Sequence, residues 1–286
     1  MKKYFALAAL SCSMTLLFMA GGASAQTTLD KVKARGAVEM GFWNEPPFNF
    51  TENDKITGAD VEVLRAVLAK MGIPKIDGVM QDFSALIPGL MAQRFDMNSA
   101  FFVSPARCKQ VLFSSPIWVV TDSFLVKAGN PKKLHSYEDV LANPDAKVGY
   151  LAGGVEKKNM EKLGIGDDQI VVMNDQPSAL AAVRAGRIDA FVNTGIGIQK
   201  ILDVLKDPAL ERAEPFKPSI IDGKKDVGYG AFSFRLEDKA FRDAFNQALV
   251  AFIGTPEHVA LVRPFGFSDE EIKPIVGMST ETACKG

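Results

Sequence analysis

Residues 96–116 read DMNSAFFVSPARCKQVLFSSP, and this stretch says most about how the chain folds. Its single arginine, Arg107, follows a Ser-Pro pair and two adjacent phenylalanines, Phe101 and Phe102. The order predicts a strand before the phenylalanines, a helix that begins near Arg107 and a second strand over 111–113. A guanidinium can bind a carboxylate through two parallel hydrogen bonds, and aromatic rings can cover the rest of a small ligand. The alternative is a surface arginine beside two core phenylalanines.

The first 25 residues have the pattern of a secretory signal peptide. Two lysines follow Met1, an apolar run extends over 5–19, and Ala23-Ser24-Ala25 matches a cleavage site of the A-x-A type. The apolar run is too short for a stable membrane span. We therefore expect cleavage after Ala25 and a mature protein in the periplasm.

The charge balance argues against a nucleic-acid partner. Removing residues 1–25 removes two lysines and no acid, which leaves 31 basic and 34 acidic side chains and a net charge of −3. Nucleic-acid binding would need a concentrated basic surface. The two histidines, His135 and His258, lie far apart and neither is near a cysteine in sequence, so no metal or other cofactor is predicted.

Two cysteines, Cys108 and Cys284, remain after cleavage. In an oxidising compartment an even pair suggests a disulfide, which would tie the C-terminal tail to the arginine segment. Two free thiols are the alternative.

Strands and helices alternate along the mature chain, which predicts α/β sheets. The 261 residues after the cleavage site are enough for two lobes, each with its own core. We expect the first lobe over 26–122 and 223–286 and the second lobe over 123–222. The strand 123–127 is a candidate crossing between the lobes, and the proline-rich stretch 207–225 would return the chain to the first lobe.

A loop with two consecutive prolines, Pro46 and Pro47, directly follows the predicted strand 37–42. Ligands of α/β sheets bind beyond the carboxyl ends of strands, so this loop is a candidate site. Glu45 is its lone acid, and a solvated loop acid is the alternative interpretation. Trp43 and Trp118 could equally pack in a core or stack on a ligand.

Gly153 and Gly154 begin a predicted helix and could offer backbone N–H groups to an anion, although a plain tight turn has the same pattern. No Ser/His/Asp or Cys/His arrangement suggests a nucleophile with its base.

Taken together, the order of elements resembles the family 3 extracytoplasmic solute-binding proteins of ABC importers, which have a two-lobe type II periplasmic-binding fold joined by two crossing strands. The resemblance covers nearly all of residues 26–286 and is carried by the segments 41–48, 83–90, 104–107, 111–116, 179–190 and 241–254. It implies a non-catalytic monomer that closes on a small zwitterionic solute and presents it to a membrane permease. Arg107 would hold the carboxylate of that solute.

One difference from the usual pattern of the family narrows the range of possible ligands. Typical amino-acid binders of the family have an aspartate after a strand of the second lobe, which accepts the α-ammonium, and this chain has Asn193 there. A desolvated primary ammonium would lose its charged partner. Glu45 and the rings of Phe48, Phe83 and Phe102 suit a delocalised or fully substituted cation instead.

Within the family the sequence is most similar to the ectoine/hydroxyectoine-binding proteins, with further likeness over 107–114 and 130–140. Ectoine is a cyclic amidine with a carboxylate, so the resemblance implies that Arg107 pairs with the carboxylate and Glu45 with the amidinium. The three phenylalanine rings would surround the ligand. Five residues of the second lobe would close over it: Gly153, Gly154, Val155, Asn193 and Thr194.

Two alternatives remain open. The ligand could be another amino acid or a betaine-like solute, or the chain could be an enzyme on the same fold, such as a cyclohexadienyl dehydratase with Glu45 as its acid. An enzyme of this kind needs a poised proton donor, and the sequence shows no second titratable group near Glu45.

Overall fold

The computed structural model describes residues 26–221 and 223–285, and the predicted signal peptide with its cleavage site lies outside them. In these ranges the chain forms eleven α-helices and fifteen β-strands. None of these helices is both long enough and apolar enough to cross a membrane.

The strands are β1 Ala37–Phe42, β2 Phe50–Glu52, β3 Lys55–Thr57, β4 Lys75–Met80, β5 Met97–Phe102, β6 Leu112–Phe113, β7 Trp118–Val120, β8 Asp122–Lys127, β9 Val148–Leu151, β10 Ile170–Met173, β11 Ala190–Thr194, β12 Leu210–Arg212, β13 Ile220–Ile221, β14 Lys224–Lys225 and β15 Gly228–Phe234. The helices are α1 Thr28–Arg35, α2 Ala59–Lys70, α3 Leu86–Met91, α4 Tyr137–Ala142, α5 Glu156–Lys162, α6 Gln176–Ala185, α7 Gly195–Leu205, α8 Lys239–Val250, α9 Pro256–Val262, α10 Asp269–Ile272 and α11 Thr280–Lys285.

Two mixed sheets organise these elements into two lobes. The sheet of the first lobe has the order β4-β1-β5-β15-β6, and β7 also pairs with β15. The sheet of the second lobe has the order β10-β9-β11-β8-β12. Apolar clusters cover both faces of each sheet, which is why central strands such as β1 are buried along nearly their whole length.

The chain crosses between the sheets twice. The first crossing is at Thr121, the single residue between β7 and β8, and the second lies between β12 and β15 and includes the β13–β14 hairpin. Strand 123–127 was predicted as a crossing candidate, and β8 does begin the second sheet there. The lobe boundaries at 122 and 222 stay predictions.

Local sequence signals account for several helix ends. Asp175 accepts a hydrogen bond from the backbone N–H of Ser178 at the start of α6, and Gly186 ends that helix in the left-handed region with φ 70°. The predicted start of α9 is confirmed, since Thr255 caps it and Pro256 lies in its first turn.

The prediction of a helix that begins near Arg107 is wrong. Residues Arg107–Lys109 form one 3-10 turn, because β6 begins at Leu112 and leaves no chain for a longer helix. Cys108 in this turn is bonded to Cys284 in α11, with their Cα atoms 6.1 Å apart. Of the two alternatives for the cysteines, the structure contains the disulfide.

Replacing both Cys108 and Cys284 by serine should lower the free energy of unfolding by about 2–4 kcal/mol. The bond joins residues 176 positions apart, so its loss returns many conformations to the unfolded chain. Urea unfolding at pH 7 measures the change, and reduced wild-type protein is the matched control. Equal unfolding midpoints for the variant and the oxidised wild type would contradict this expectation.

Candidate functional site

The candidate site is a cavity between the two lobes with about 500 Å³ of empty space, part of it open to solvent. Its walls come from both lobes. The first lobe contributes mainly aromatic side chains and one acid: Trp43, Glu45, Phe48, Phe83, Phe101, Phe102 and Trp118. The second lobe contributes the ends of strands and the start of a helix: Leu151, Gly154, Glu156, Val192, Asn193 and Thr194.

Glu45 is held by the loop after β1. Its backbone N–H donates to the carbonyl oxygen of Asn49 at 2.8 Å, and its own carbonyl oxygen accepts from the N–H of Phe48 at 2.9 Å. Its side chain turns into the cavity, where Oε1 accepts from Asn193 Nδ2 at 2.9 Å and Oε2 accepts from Trp43 Nε1. Glu45 is therefore a buried acid of the cleft, not a solvated loop residue.

Burial dominates the electrostatics of Glu45 and raises the pKa of its carboxyl from 4.5 to about 7. The hydrogen bonds from Asn193 and Trp43 lower this pKa, and the nearby charge of Glu156 raises it. A cationic neighbour would lower this pKa again and favour the ionised form of the carboxyl.

Aromatic rings form most of the first-lobe wall. The three predicted rings, Phe48, Phe83 and Phe102, all line the cavity. Trp118, whose role the sequence left open, lies 5.0 Å from the ring of Phe48 and 5.8 Å from that of Phe102, measured between centroids. Trp43 packs edge-on against Phe83 at 4.9 Å. Both tryptophans line the cavity and pack against its phenylalanines.

A buried acid fixes the orientation of Trp118. Its indole N–H donates to Oδ1 of Asp60 at 2.7 Å, and Asn49 donates to the other oxygen of the same carboxyl at 3.2 Å. Since its N–H already has a partner in the first lobe, Trp118 offers the cavity only ring surface.

Arg107 lies in an adjoining cavity, which shares Phe83 and Phe101 with the first cavity. Its guanidinium donates to the carbonyl oxygen of Phe102 at 2.6 Å and to that of Gly153, in the opposite lobe, at 2.8 Å. The guanidinium carbon is 5.3 Å from the ring centroid of Phe83 and 5.0 Å from that of Phe101. Because two carbonyl groups hold it there, acid and guanidinium occupy neighbouring cavities rather than the single cavity that was predicted.

The guanidinium remains a strong donor. Burial lowers the pKa of Arg107 to about 10, and the charge of Glu156 raises it, so the group is charged at neutral pH. Within the part of the chain that the structure describes, two of its five N–H groups have acceptors, which leaves three for a ligand.

Residues 153–155 lie at three different places. The carbonyl oxygen of Gly153 accepts from Arg107, and Gly154 lines the first cavity. Val155 lines a separate cavity beside the crossings, with Asp122 and Asp226, and its place over the ligand stays a prediction. Val155 is the residue before α5, and the next residue, Glu156, lines the first cavity.

Asn193 and Thr194, which were predicted to close over the ligand, both line the cavity, and their hydrogen bonds explain the departure from an aspartate. Asn193 donates to Glu45 across the cleft, while its Oδ1 accepts from the N–H of Thr194 at 2.6 Å. An aspartate at 193 would place a second carboxylate against Glu45. The hydroxyl of Thr194 accepts from the N–H of Gly197 at 3.0 Å and caps α7.

Sequence reasoning missed Glu156. We expected no second titratable group near Glu45, and that expectation is wrong, because Glu156 lines the same cavity. Burial raises the pKa of Glu156, its own backbone N–H and the charge of Arg107 lower it, and Asp226 raises it. Acidic side chains are common in the first turn of a helix, where they interact favourably with the helix dipole. The sequence alone therefore offered no reason to assign Glu156 to a binding site.

The chain is similar to known proteins along most of its length. The family model for bacterial extracellular solute-binding proteins, family 3, matches residues 38–268. The chain is 36% identical over 275 residues to the probable amino-acid ABC transporter periplasmic-binding protein y4tE of Sinorhizobium fredii (strain NBRC 101917 / NGR234), covering 94% of this chain and 89% of that protein.

Two solved structures are informative. A crystal structure of EhuB in complex with hydroxyectoine is similar with a TM-score of 0.79 and 32% identity, over 90% of this chain and 97% of that one. The ancestral amino-acid-binding protein AncCDT-1, a precursor of cyclohexadienyl dehydratase, has a TM-score of 0.70 and 24% identity, over 84% and 99% of the two chains. This second likeness shows a shared fold alone.

The raised pKa of Glu45 predicts how stability depends on pH. In the folded protein the carboxyl of Glu45 keeps its proton up to about pH 7, whereas in the unfolded chain it keeps it only up to about pH 4.5. The free energy of unfolding therefore falls as pH rises between these values. Relative to Glu45→Gln, the wild type should lose up to about 3 kcal/mol of unfolding free energy between pH 4.5 and 8.

Urea unfolding of both proteins across that range measures this loss. Glu52→Gln, at an exposed position in β2, is the matched control and should follow the wild type. A difference between wild type and Glu45→Gln that stays constant with pH would contradict the assignment.

Proposed function

The chain belongs to the bacterial extracellular solute-binding proteins, family 3, and from this we propose that it is the periplasmic receptor of an ABC importer for ectoine or hydroxyectoine. The solute binds in the cleft between the lobes, and the closed receptor presents it to a membrane permease. The signal peptide directs export, with cleavage after Ala25. The name of the Sinorhizobium relative supports the transport role, and the EhuB complex supports the ligand class.

The observation that carries the proposal is the buried carboxylate of Glu45 inside an aromatic wall. An amidinium spreads its charge over two nitrogens and a flat ring, which suits stacking against rings such as Phe48 and Phe102. The carboxylate of Glu45 already accepts one hydrogen bond on each oxygen, and each oxygen has room for one more. In the proposed complex the amidinium N–H groups take these positions.

Arg107 binds the other end of the ligand, opposite the amidinium. Its three remaining N–H groups pair with the ligand carboxylate, which reaches the guanidinium past the shared rings of Phe83 and Phe101. Gly153 and Gly154 border the two cavities from the second lobe, so lobe closure covers the ligand there.

Asn193 disfavours a primary ammonium, because its amide is held between Glu45 and Thr194 and brings no charge. For this reason we expect a cyclic amidine to bind more tightly than ordinary α-amino acids. Another amino acid or a betaine-like solute is the nearest alternative, and the name of the Sinorhizobium relative favours an amino acid.

A thermal-shift screen followed by calorimetric titration tests the proposal. Ectoine and hydroxyectoine should raise the melting temperature of the purified protein more than glycine betaine, histidine, glutamine or arginine, because a ligand that binds the folded state stabilises it. A larger shift with any of the amino acids, or with glycine betaine, would overturn the ligand assignment.

Two substitutions test the residue roles. Arg107→Ala should weaken carboxylate ligands by about 100-fold or more, since one buried charged partner is lost. Glu45→Gln should weaken cationic ligands at least about tenfold and neutral ligands less. Arg65→Ala, at a position on α2 outside the cleft, is the matched control. Unchanged affinity in either cleft variant would remove that residue from the site.

A second candidate function is favoured by one observation, the presence of two carboxyl groups, Glu45 and Glu156, in a single cavity. A dehydratase on this fold needs a proton donor, and burial raises the pKa of both groups, as a general acid requires. Incubation with prephenate and arogenate distinguishes the two functions. A receptor releases no product, whereas turnover that Glu156→Gln abolishes would establish the enzyme.

A further inference from the structure

Glu156 is a polar group of the cleft that the proposed contacts with carboxylate and amidinium leave unused. Its side chain lines the ligand cavity, and its Oε2 atom is buried without a hydrogen-bond partner. A buried oxygen of this kind is unfavourable unless something donates to it or accepts from it. The cleft therefore contains a third polar position, in addition to Glu45 and Arg107.

The backbone keeps this carboxyl in place. Glu156 is the first residue of α5, and its carboxyl turns back over the preceding loop. A Cβ atom on Gly154 would overlap Oε2 of Glu156 and would lie 2.9 Å from the carbonyl oxygen of Leu151. Glycine at 154 thus makes room for the carboxyl at the cavity wall.

The charges around Glu156 come from several elements. Arg107 is the cation that acts on it, and Glu45, Asp122 and Asp226 are acids in the same electrostatic neighbourhood. Tyr137 lies beside them and donates to Asp122 at 2.6 Å. Within the described residues no salt bridge is formed by Glu156, so its carboxyl has no fixed ionic partner.

The chemistry of the third position selects one kind of group. The Arg107 guanidinium already acts on this carboxyl as a cation, so a second ammonium on the ligand would meet like-charge repulsion there. A hydroxyl group fits either protonation state, because it can donate to a carboxylate and accept from a carboxylic acid. The ligand that satisfies all three positions is a zwitterion with an added hydroxyl.

We propose that Glu156 is a specificity-determining residue that contacts a ring hydroxyl and makes the receptor prefer hydroxyectoine to ectoine. This inference rests on the proposed function and names the member of the ligand class. The discrimination has a physical basis, since a site built to hydrogen-bond a hydroxyl leaves its own polar group unpaired when the hydroxyl is missing.

Calorimetric titration of both ligands tests the inference on the wild type, Glu156→Ala, Glu156→Gln and Glu161→Gln. The last variant is the matched control, an acid on α5 that lies outside the cavity and is about half exposed. We expect the wild type to bind hydroxyectoine about tenfold more tightly than ectoine, and Glu156→Ala to abolish that preference by weakening hydroxyectoine alone. Glu156→Gln should retain part of the preference, because an amide can also pair with a hydroxyl.

The outcomes separate the two proposals. If the wild type binds neither compound, the proposed function fails and this inference fails with it. If both bind and Glu156→Ala changes them equally or not at all, only the inference is overturned. Tighter binding of arginine than of hydroxyectoine, lost in Glu156→Ala, would show that Glu156 recognises a cation and would also overturn it. Thermal unfolding of each variant checks that the fold is retained.

Discussion

The closed arrangement of the lobes depends on giving buried polar groups their partners. Glu45 takes one donor from its own loop, Trp43, and one from Asn193, which is 148 residues away in the other lobe. Arg107 likewise donates to Phe102 nearby and to Gly153 across the cleft. An unpaired buried group costs roughly 1–3 kcal/mol, so these two contacts favour one relative position of the lobes.

The separate cavity beside the crossings contains two further acids, Asp122 and Asp226. Asp122 begins β8 at the first crossing, and Asp226 precedes β15 at the second. Burial raises the pKa of both carboxyl groups, and the charge of Glu156 adds to the effect at Asp122. The electrostatics of these acids are unfavourable, because burial removes their carboxyl groups from water.

The sequence pointed to more of the residues that line the cavity in the first lobe than in the second. Glu45 was identified because two prolines mark a loop at the end of a strand, and Arg107 because it stands alone beside aromatic residues. On the second lobe the pattern Gly-Gly before a helix was noticed, but it did not show which following residue faces the cavity. The prediction named Val155, whereas in the structure Glu156 lines the first cavity and Val155 lines the separate one.

By itself the sequence determined the alternation of strands and helices, the loop after β1 and the aromatic character of the binding wall. These features follow from backbone periodicity and from proline and glycine, whose effects act within a few residues. Only the tertiary structure decided that Asn193 bonds to Glu45, that Arg107 rests on two carbonyl oxygens and that a second acid enters the cavity. Such pairings join residues distant in the chain, and their distances depend on how two separately packed lobes meet.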